Sequence, residues 1–455
     1  MDATTARLID FAAQADFSGL PAATLHEAKR RLIDTFACAV GAYEEPVSRM
    51  ARTHASRYVA AAGSPAASVW GCSSPTTVEA AAFANGVMLR VEDISDMYRF
   101  KSGGHPSDVI AAVIAMGEGL HADGAAVINA VVLAYDVYCT FCEAVDVNSK
   151  GWDQPVYSVM ACALGASKLL HLDREQMGNA LALALVPNMA LDQTRHGELS
   201  SWKGCAGANA SRNGVFAALL AQDGFTGPTG VFEGKGGLYE IVGRFDWRLP
   251  ATGDARTSIS RTHMKCFPVC YHGQSAVWAA VDMRTRVRVQ DIAEIRIETY
   301  EHAAHIMGAD PSKWAPSTRE TADHSLPYVV AIGLLDGEVT SASFSGVRLR
   351  DPEVARLMAM VKVDENAELS AQYPESAPCR LTVRMQSGEV VVTNIRYPKG
   401  HNMSPLSDAE VEQKFRGMFR EYGSTSQCAS ALDGLWNFER ARDVADVLKL
   451  FEKRA

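Results

Sequence analysis

Four short segments put histidines, lysines, arginines and carboxylates together inside an otherwise apolar pattern. The first, "VEDISDMYRFKSGGHPSD", carries Asp93, Asp96 and His105. The second, "TRHGELSSWKG", carries Arg195, His196, Ser200 and Lys203. The third, "RTHMKCFPVCYHGQ", carries Arg261, His263, Lys265, Tyr271 and His272, and the fourth, "STRETADHSLPY", carries Arg319, Asp323, His324 and Tyr328. Histidine is the side chain that changes charge near neutral pH, so it suits proton transfer. Lysine and arginine bind carboxylates and stabilise developing anionic charge. In the first segment, Gly103 and Gly104 let the backbone pass close to a neighbour. Pro106 fixes the chain just beyond His105 and can open a helix. His105 is therefore expected at a turn just before the helix "PSDVIAAVIAMGEGL", near Asp93 and Asp96. Each segment taken alone also fits a capped turn or a satisfied core histidine.

Competing chemistries find less support. There is no Walker A loop, no GxSxG and no GxGxxG between a strand and a helix. Glu301-His302-x-x-His305 could hold a metal if helical, but no partner ligands are evident, so it reads as solvated surface. Cys139 and Cys142 form a CxxC without a second pair and read as buried helical thiols. The net charge of −9 argues against nucleic-acid binding, which needs a cationic surface. It leaves room for an acidic small molecule held by local cations. The N-terminus lacks a basic region followed by a long apolar run, so it does not read as a secretory signal. No uninterrupted apolar run reaches the length of a membrane span. Ten cysteines in a chain that needs no disulfide staples point, with these features, to the cytoplasm.

The elements that position these residues follow from hydrophobic periodicity. Up to about residue 250, helix follows helix. In "PAATLHEAKRRLIDTFACAVGAY", Leu25, Ala28, Leu32, Phe36 and Val40 form one stripe. "GAAVINAVVLAYDVYCTFCEAV" is apolar nearly all round and should be central. "KGCAGANASRNGVFAALLAQDG" is rich in small residues, which let helices approach closely. After about residue 265 the period changes. "DIAEIRIETY" alternates, and "CRLTVRMQSGEVVVTNIRY" reads as a hairpin around "QSGE". Helical runs "HGQSAVWAAVDMRTR" and "RETADHSLPYVVAIGLL" lie between the strands. Ser407 and Glu410 form a capping box that opens a last helical segment. The expected fold is mostly α: a large all-helical domain over residues 1–265, completed by 401–455, with a smaller α+β lid domain inserted at 266–400.

Five segments in order, "GGHPSD", "SSWKGCAGANASRNGVFAALLAQDGFTGP", "KCFPVCYHGQSAVWA", "ETADHSLPYVVAIGLLDGEV" and "YPKGHNMSPLSDAEVEQKFR", resemble the MmgE/PrpD family over nearly the whole chain. That family includes 2-methylcitrate dehydratases, cis-aconitate decarboxylases and iminodisuccinate epimerases. The resemblance implies a helical domain with an α+β lid, a homodimer, and chemistry without metal or cofactor on small polycarboxylates in a cleft between the domains. It implies that Asp93, His105, Lys203, His272 and Tyr328 are catalytic. His105 would be general base or acid, oriented by Asp93. Lys203 would stabilise the anion, His272 would be the second proton handler, and Tyr328 a hydroxyl donor. Asp96, Met97, Arg195, Ser200, Lys265 and Arg319 are expected to contact substrate. Met97 stands where the family often has threonine, which replaces a hydroxyl with apolar bulk. The expected activity is a hydro-lyase acting on a 2-methylcitrate-like hydroxy polycarboxylate. Epimerisation or decarboxylation of a related acid, such as iminodisuccinate or cis-aconitate, is the alternative, and a non-catalytic binding or scaffold role is the alternative of another class.

Overall fold

The structure is a computed structural model, described over residues 1–251 and 255–453. Two hydrophobic cores organise it. The larger runs from Leu8 to Met264 and resumes from Leu406 to Phe451. The smaller spans Phe267 to Met385. The chain therefore leaves a helical domain, builds an α+β unit, and returns with the helices Asp408–Phe419 and Thr425–Trp436.

The helical domain is built around its least polar elements. Helix Gly124–Ala144 has 21 residues and a mean hydropathy of 1.7, so by length and composition it could cross a membrane. The sequence reading had found no run of that length, because Asp136 and polar residues interrupt this one. The helix is a core element here: Asp136 pairs with Arg256 at 2.9 Å, and Cys139 and Cys142 are buried thiols, as expected from their apolar surroundings. Helix Trp202–Gln222 uses its small residues for contact. A β-carbon on Gly86 would lie 2.8 Å from Ala208, and one on Gly214 would lie 2.6 Å from the Val159 carbonyl oxygen. These glycines bring backbones together and leave no void at those points. Two minimal hairpins interrupt the helices. One pairs Tyr98–Arg99 with Gly103–Gly104 and so fixes the approach to His105.

The lid carries a four-stranded sheet in the order Val361–Glu365, Ile292–Thr299, Cys379–Met385, Val390–Ile395. The first pair is parallel and the other two are antiparallel. Alternation held: Ile295, Ile297 and Thr299 are buried on one face, as are Leu381, Val383 and Met385. Gly388, at φ 89, makes the tight turn of the hairpin. The helical run read across "RETADHSLPYVV" is instead broken. Helix Arg319–Ala322 ends, and Leu326–Asp336 starts with Ser325 as its cap and Pro327 in its first turn. Pro327 has no N–H to bond the Asp323 carbonyl four residues back and its ring would clash with it, so one helix cannot run through and the chain opens at Asp323, His324 and Ser325. That opening lies at the boundary with the helical domain.

Gly214→Ala should destabilise the protein by about 1–3 kcal/mol, because a rigid neighbouring backbone cannot give way. Urea unfolding checks this, and an unchanged midpoint would show that the helices can separate freely.

Candidate active site

The site is assembled around one carboxylate. Asp93 follows helix Val78–Arg90 and takes the left-handed backbone region at φ 52, which aspartate tolerates better than most residues. Lys265 holds it there: its ammonium donates to the Asp93 main-chain carbonyl, to the Asp93 carboxylate at 2.8 Å and to the Val269 carbonyl at 3.3 Å. Arg90 reaches the same carboxylate at 3.2 Å and Lys203 at 3.3 Å. Asp93, Lys203 and Lys265 are 2%, 5% and 1% exposed, so these are interior charges. Burial pushes the Asp93 carboxyl up, but Lys203, Lys265 and Arg90 together hold it well below the usual carboxylate range. Arg90 also pairs with buried Asp108 at 2.9 Å, and burial pushes that carboxyl up to about 7.

His105 stands beside Asp93 with its Nε2 at 3.8 Å from the carboxylate. Its Nδ1 lies 2.7 Å from the Asp96 main-chain carbonyl oxygen. A carbonyl oxygen only accepts, so Nδ1 carries the hydrogen and Nε2 keeps its lone pair. Burial, followed by the positive charges of Arg90 and Lys265, holds its pKa well below the ordinary value, so the ring is neutral. The main-chain N–H of His105 donates to Gln154 Oε1 at 3.0 Å. A β-carbon on Gly104 would lie 2.0 Å from that same oxygen. The glycine pair thus lets the backbone approach protein groups that lock the turn. Asp96 pins the turn from the other side. Its carboxylate accepts from the Ser107 N–H and the Tyr135 hydroxyl, each at 2.9 Å. The orienting role expected of Asp93 therefore falls to the Asp96 carbonyl, and the Asp96 carboxylate is committed to protein partners instead of standing free for substrate.

The lid supplies the other wall. Lys203 bridges from Asp93 to Asp323 at 3.3 Å. Asp323 in turn hydrogen-bonds the His324 imidazole, and its carbonyl accepts from the Cys270 N–H at 2.9 Å. Among the described residues, Asp93, Asp323 and His324 are a group whose ligand atoms could converge on a cation, all within 4.8 Å. Their carboxylates already carry two lysine ammoniums, which occupy the charge a divalent ion would need. His272 Nδ1 is 2.6 Å from the Tyr300 hydroxyl, and burial with His302 and Arg99 holds its pKa well below the ordinary value.

The remaining expected residues separate into two groups. Arg195 belongs to the site: it pairs with Asp153 at 2.9 Å, donates to the Lys203 carbonyl at 3.1 Å, and keeps one buried guanidinium nitrogen without a hydrogen-bond partner. Met97 packs with Tyr271, Tyr300 and Tyr373 at the domain boundary. Ser200 is exposed, just before helix Trp202–Gln222. Arg319 pairs with Glu45 at 3.4 Å and keeps Nε and one terminal nitrogen buried without a hydrogen-bond partner. Tyr328 lies in the lid core and donates its hydroxyl to the Ser343 carbonyl at 2.6 Å, so the structure does not bring it to Asp93.

Sequence reasoning passed over several residues that are present. Arg90 closes helix Val78–Arg90 and is not among the residues singled out in the sequence. Arg99, His302 and Tyr373 come from three separate segments and meet at His272: Arg99 bonds the Tyr373 hydroxyl, and the His302 ring centroid is 4.6 Å from that of His272. His302, read as solvated surface, is half-buried there, with its pKa lowered by burial and Arg99 to about 3. Lys414 is mostly buried. It donates to Asp34 at 2.5 Å, Ile94 O at 2.9 Å and Lys265 O at 2.8 Å, tying the returning C-terminal helix to the site. A cleft of about 760 Å³ lies behind Glu92 and is lined by Trp278, Lys399 and Lys414; His105, Lys203 and His272 are not among its lining residues.

Residues 6–248 match the MmgE/PrpD N-terminal domain and residues 267–438 the MmgE/PrpD C-terminal domain. The chain belongs to the MmgE/PrpD family. A 2-methylcitrate dehydratase of Cupriavidus necator is 27% identical over 349 residues, covering 70% of each chain. One from Escherichia coli (strain K12) is 27% identical over 352 residues, 70% of this chain and 71% of its own. The cis-aconitate decarboxylase-like protein oryM of Aspergillus oryzae is 25% identical over 476 residues, covering 98% and 96%. For an MmgE/PrpD member, the segments that carried the resemblance converge in space: the first three and part of the fourth surround Asp93.

Two expectations follow. His105, His263 and His272 are held well below their ordinary value, and His302 and His401 are lowered to about 3 and about 4. The unfolded chain therefore binds protons that the folded chain refuses. Stability from these groups is complete above the ordinary histidine value of about 6.5 and is lost as pH falls through that range. The raised carboxyls Glu92, Asp96, Asp108, Glu118 and Asp136 and the raised His324 act in the opposite direction and offset part of that loss. Denaturant unfolding at pH 7 and pH 5 should show a loss of at least about 2 kcal/mol on acidification, and a flat or rising profile would contradict the buried neutral histidines. Separately, Tyr328→Phe should leave the Ser343 carbonyl unpaired and cost about 1–2 kcal/mol of stability. Its kcat should stay within about twofold of wild type, and a collapse of kcat with stability retained would restore a direct role.

Proposed function

We propose that this chain is a lyase that dehydrates a 2-methylcitrate-like hydroxy polycarboxylate by general acid–base chemistry. The observation that carries this reading is the free Nε2 lone pair of His105, set beside a buried group of cations. A hydrogen on a carbon next to a carboxylate is weakly acidic. Its removal needs a base within hydrogen-bond reach and positive charge where the anion develops. His105 supplies the base. Lys203 and Arg195 supply the charge, Lys203 as a point charge and Arg195 through its unpartnered nitrogen. Lys265 acts one step back, since its three bonds are spent on Asp93 and Val269. The relatives named 2-methylcitrate dehydratase support the outcome of water loss.

The site is buried between the domains, so substrate reaches it when the lid separates from the helical domain. Loop and domain closure of this kind excludes water from the reacting centre. No step of this scheme needs a metal ion or organic cofactor, and a chelator should leave the rate unchanged.

A second reading is decarboxylation of a cis-aconitate-like acid. It is favoured by the alignment with oryM, which spans almost the whole of both chains. The same base and cations serve both outcomes, because substrate orientation decides which bond breaks. The homodimer and cytoplasmic placement implied by the family resemblance remain part of the proposal, and light scattering of the purified protein tests the former.

Purified protein given 2-methylcitrate should produce the ultraviolet absorbance of a conjugated alkene. His105→Ala should lower kcat by at least about a hundredfold while the fold, followed by circular dichroism, is kept. Carbon dioxide release from cis-aconitate without alkene formation from 2-methylcitrate would select the second reading. Binding of these acids with no turnover, and indifference to His105→Ala, would select a non-catalytic role.

A further inference from the structure

One cation at the boundary between the domains has no counter-charge. Arg99 lies on the short strand Tyr98–Arg99 of the hairpin that leads into His105, in register with Gly103. A β-carbon on Gly103 would lie 2.6 Å from Arg99 Cδ, so the missing side chain lets the arginine stem lie across the hairpin. The guanidinium then meets two residues of the lid. Its Nε donates to the Tyr373 hydroxyl, its Nη2 lies 3.5 Å from His302 Nε2, and among the described residues no hydrogen bond falls on Nη1. The groups that act most on its charge are Tyr373, Tyr300 and Tyr157, and among the described residues no carboxylate pairs with it. Its neighbours are neutral. Burial pushes the Tyr373 and Tyr300 phenols up, and burial with Arg99 lowers His302 to about 3.

A charge taken out of water is as a rule paired, because neutral hydrogen bonds do not return what desolvation costs. The other cations of the site obey that rule: Arg90, Lys203 and Lys265 share Asp93, and Arg195 has Asp153. Arg99 departs from it, beside the same turn that holds His105.

We propose that Arg99 is a second carboxylate-binding residue of this site, its terminal fork of Nη1 and Nη2 taking one end of a polycarboxylate whose reacting end is held by Lys203 and Arg195. This deepens the proposed lyase reading and rests on its polycarboxylate ligand. His272 is within charge reach of both groups, Arg99 with His302 and His324 with Lys265. Met97, Tyr271, Tyr300 and Tyr373 pack together as an apolar wall beside the fork, and low local dielectric strengthens a guanidinium–carboxylate pair. Tyr300 and Tyr373 stack with ring centroids 4.4 Å apart, and His302 lies parallel to Tyr373, so the edge that meets the guanidinium is rigid. Both hydrogen-bond partners of Arg99 come from the lid. Those bonds therefore give way when the lid separates, and an entering carboxylate offers the bidentate acceptor that one phenol and one imidazole nitrogen do not. A fixed second cation selects acids by the number and spacing of their carboxylates.

The test uses two inert acids on the full-length protein. Tricarballylate and methylsuccinate have no hydroxyl to lose and differ by one terminal carboxylate, so calorimetry reads binding without turnover. Wild type should bind tricarballylate the more tightly. Arg99→Leu should weaken tricarballylate at least about tenfold and methylsuccinate less than about twofold. Arg99→Lys should recover part of the loss, and Tyr373→Phe, which removes the phenol bond and keeps the cation, should leave tricarballylate within about threefold of wild type. Equal binding of the two acids by wild type overturns the proposal. So does an Arg99→Leu protein that loses both acids alike, which would assign Arg99 to bracing the lid, or one that loses neither. Unchanged KM for 2-methylcitrate in Arg99→Leu overturns it too and leaves the lyase reading standing. Arg99-dependent binding of tricarballylate in a wild type that turns over no acid keeps the proposal and fails the lyase reading.

Discussion

The Asp93 carboxylate is the constraint on which the site depends. Three buried cations, Arg90, Lys203 and Lys265, share it, and each would be stranded without it. Breaking a buried charge group by removing one partner costs about 3–5 kcal/mol, because the remaining charges have no water to turn to. The same carboxylate sits on a residue with left-handed backbone geometry, and Lys265 bonds both its side chain and its main chain. Electrostatics and backbone conformation are therefore one constraint here. A well-packed apolar group of the same size would be no less stable. A buried cluster of charges is what function requires and stability alone does not.

This group also joins the two domains. Lys203 begins the long small-residue helix of the helical domain and reaches Asp323 in the lid. Lys265 stands at the crossing between the cores, and Lys414 from the returning C-terminal helix bonds its carbonyl. The chain order of helical domain, lid and helical return thus has a local reason: the return segment braces the residue that holds Asp93. A lid that opens must exchange the Lys203–Asp323 contact for something else, and a substrate carboxylate is a chemically equivalent replacement for Asp323 at that ammonium.

Much of the fold was legible because it rests on periodicity. The stripe Ala28, Leu32, Phe36, Val40 and the alternation of Ile295 with Ile297 record one-sided burial directly. The site was legible in its segments and less so in its roles. Asp93, His105 and Lys203 lie together in space, yet spacing could not show that the Asp96 carbonyl bonds the His105 ring or that the Tyr328 hydroxyl is spent inside the lid. Such assignments depend on which atom of a residue faces which neighbour. The break at Asp323–His324 was readable in principle from Ser325 and Pro327, a cap and a first-turn proline. The apolar run that follows masked it. Arg99, His302 and Tyr373 gave no local signal, since their meeting is a product of tertiary structure alone.

A cationic site presents a base with a conflict. The charges that stabilise an anion also discourage a nearby histidine from accepting a proton, and Arg90 and Lys265 do so to His105. An enzyme with only this arrangement would bind its substrate well and deprotonate it poorly. In the proposed reaction, substrate itself would resolve the conflict. A carboxylate bound at Lys203 and Arg195 would add negative charge beside His105 and return its basicity toward the ordinary imidazole value. The base would then be strong when substrate is present and weak when it is absent. Under the proposed reading, the buried charge group would thus do more than hold a polycarboxylate: it would make the proton transfer conditional on the ligand that needs it.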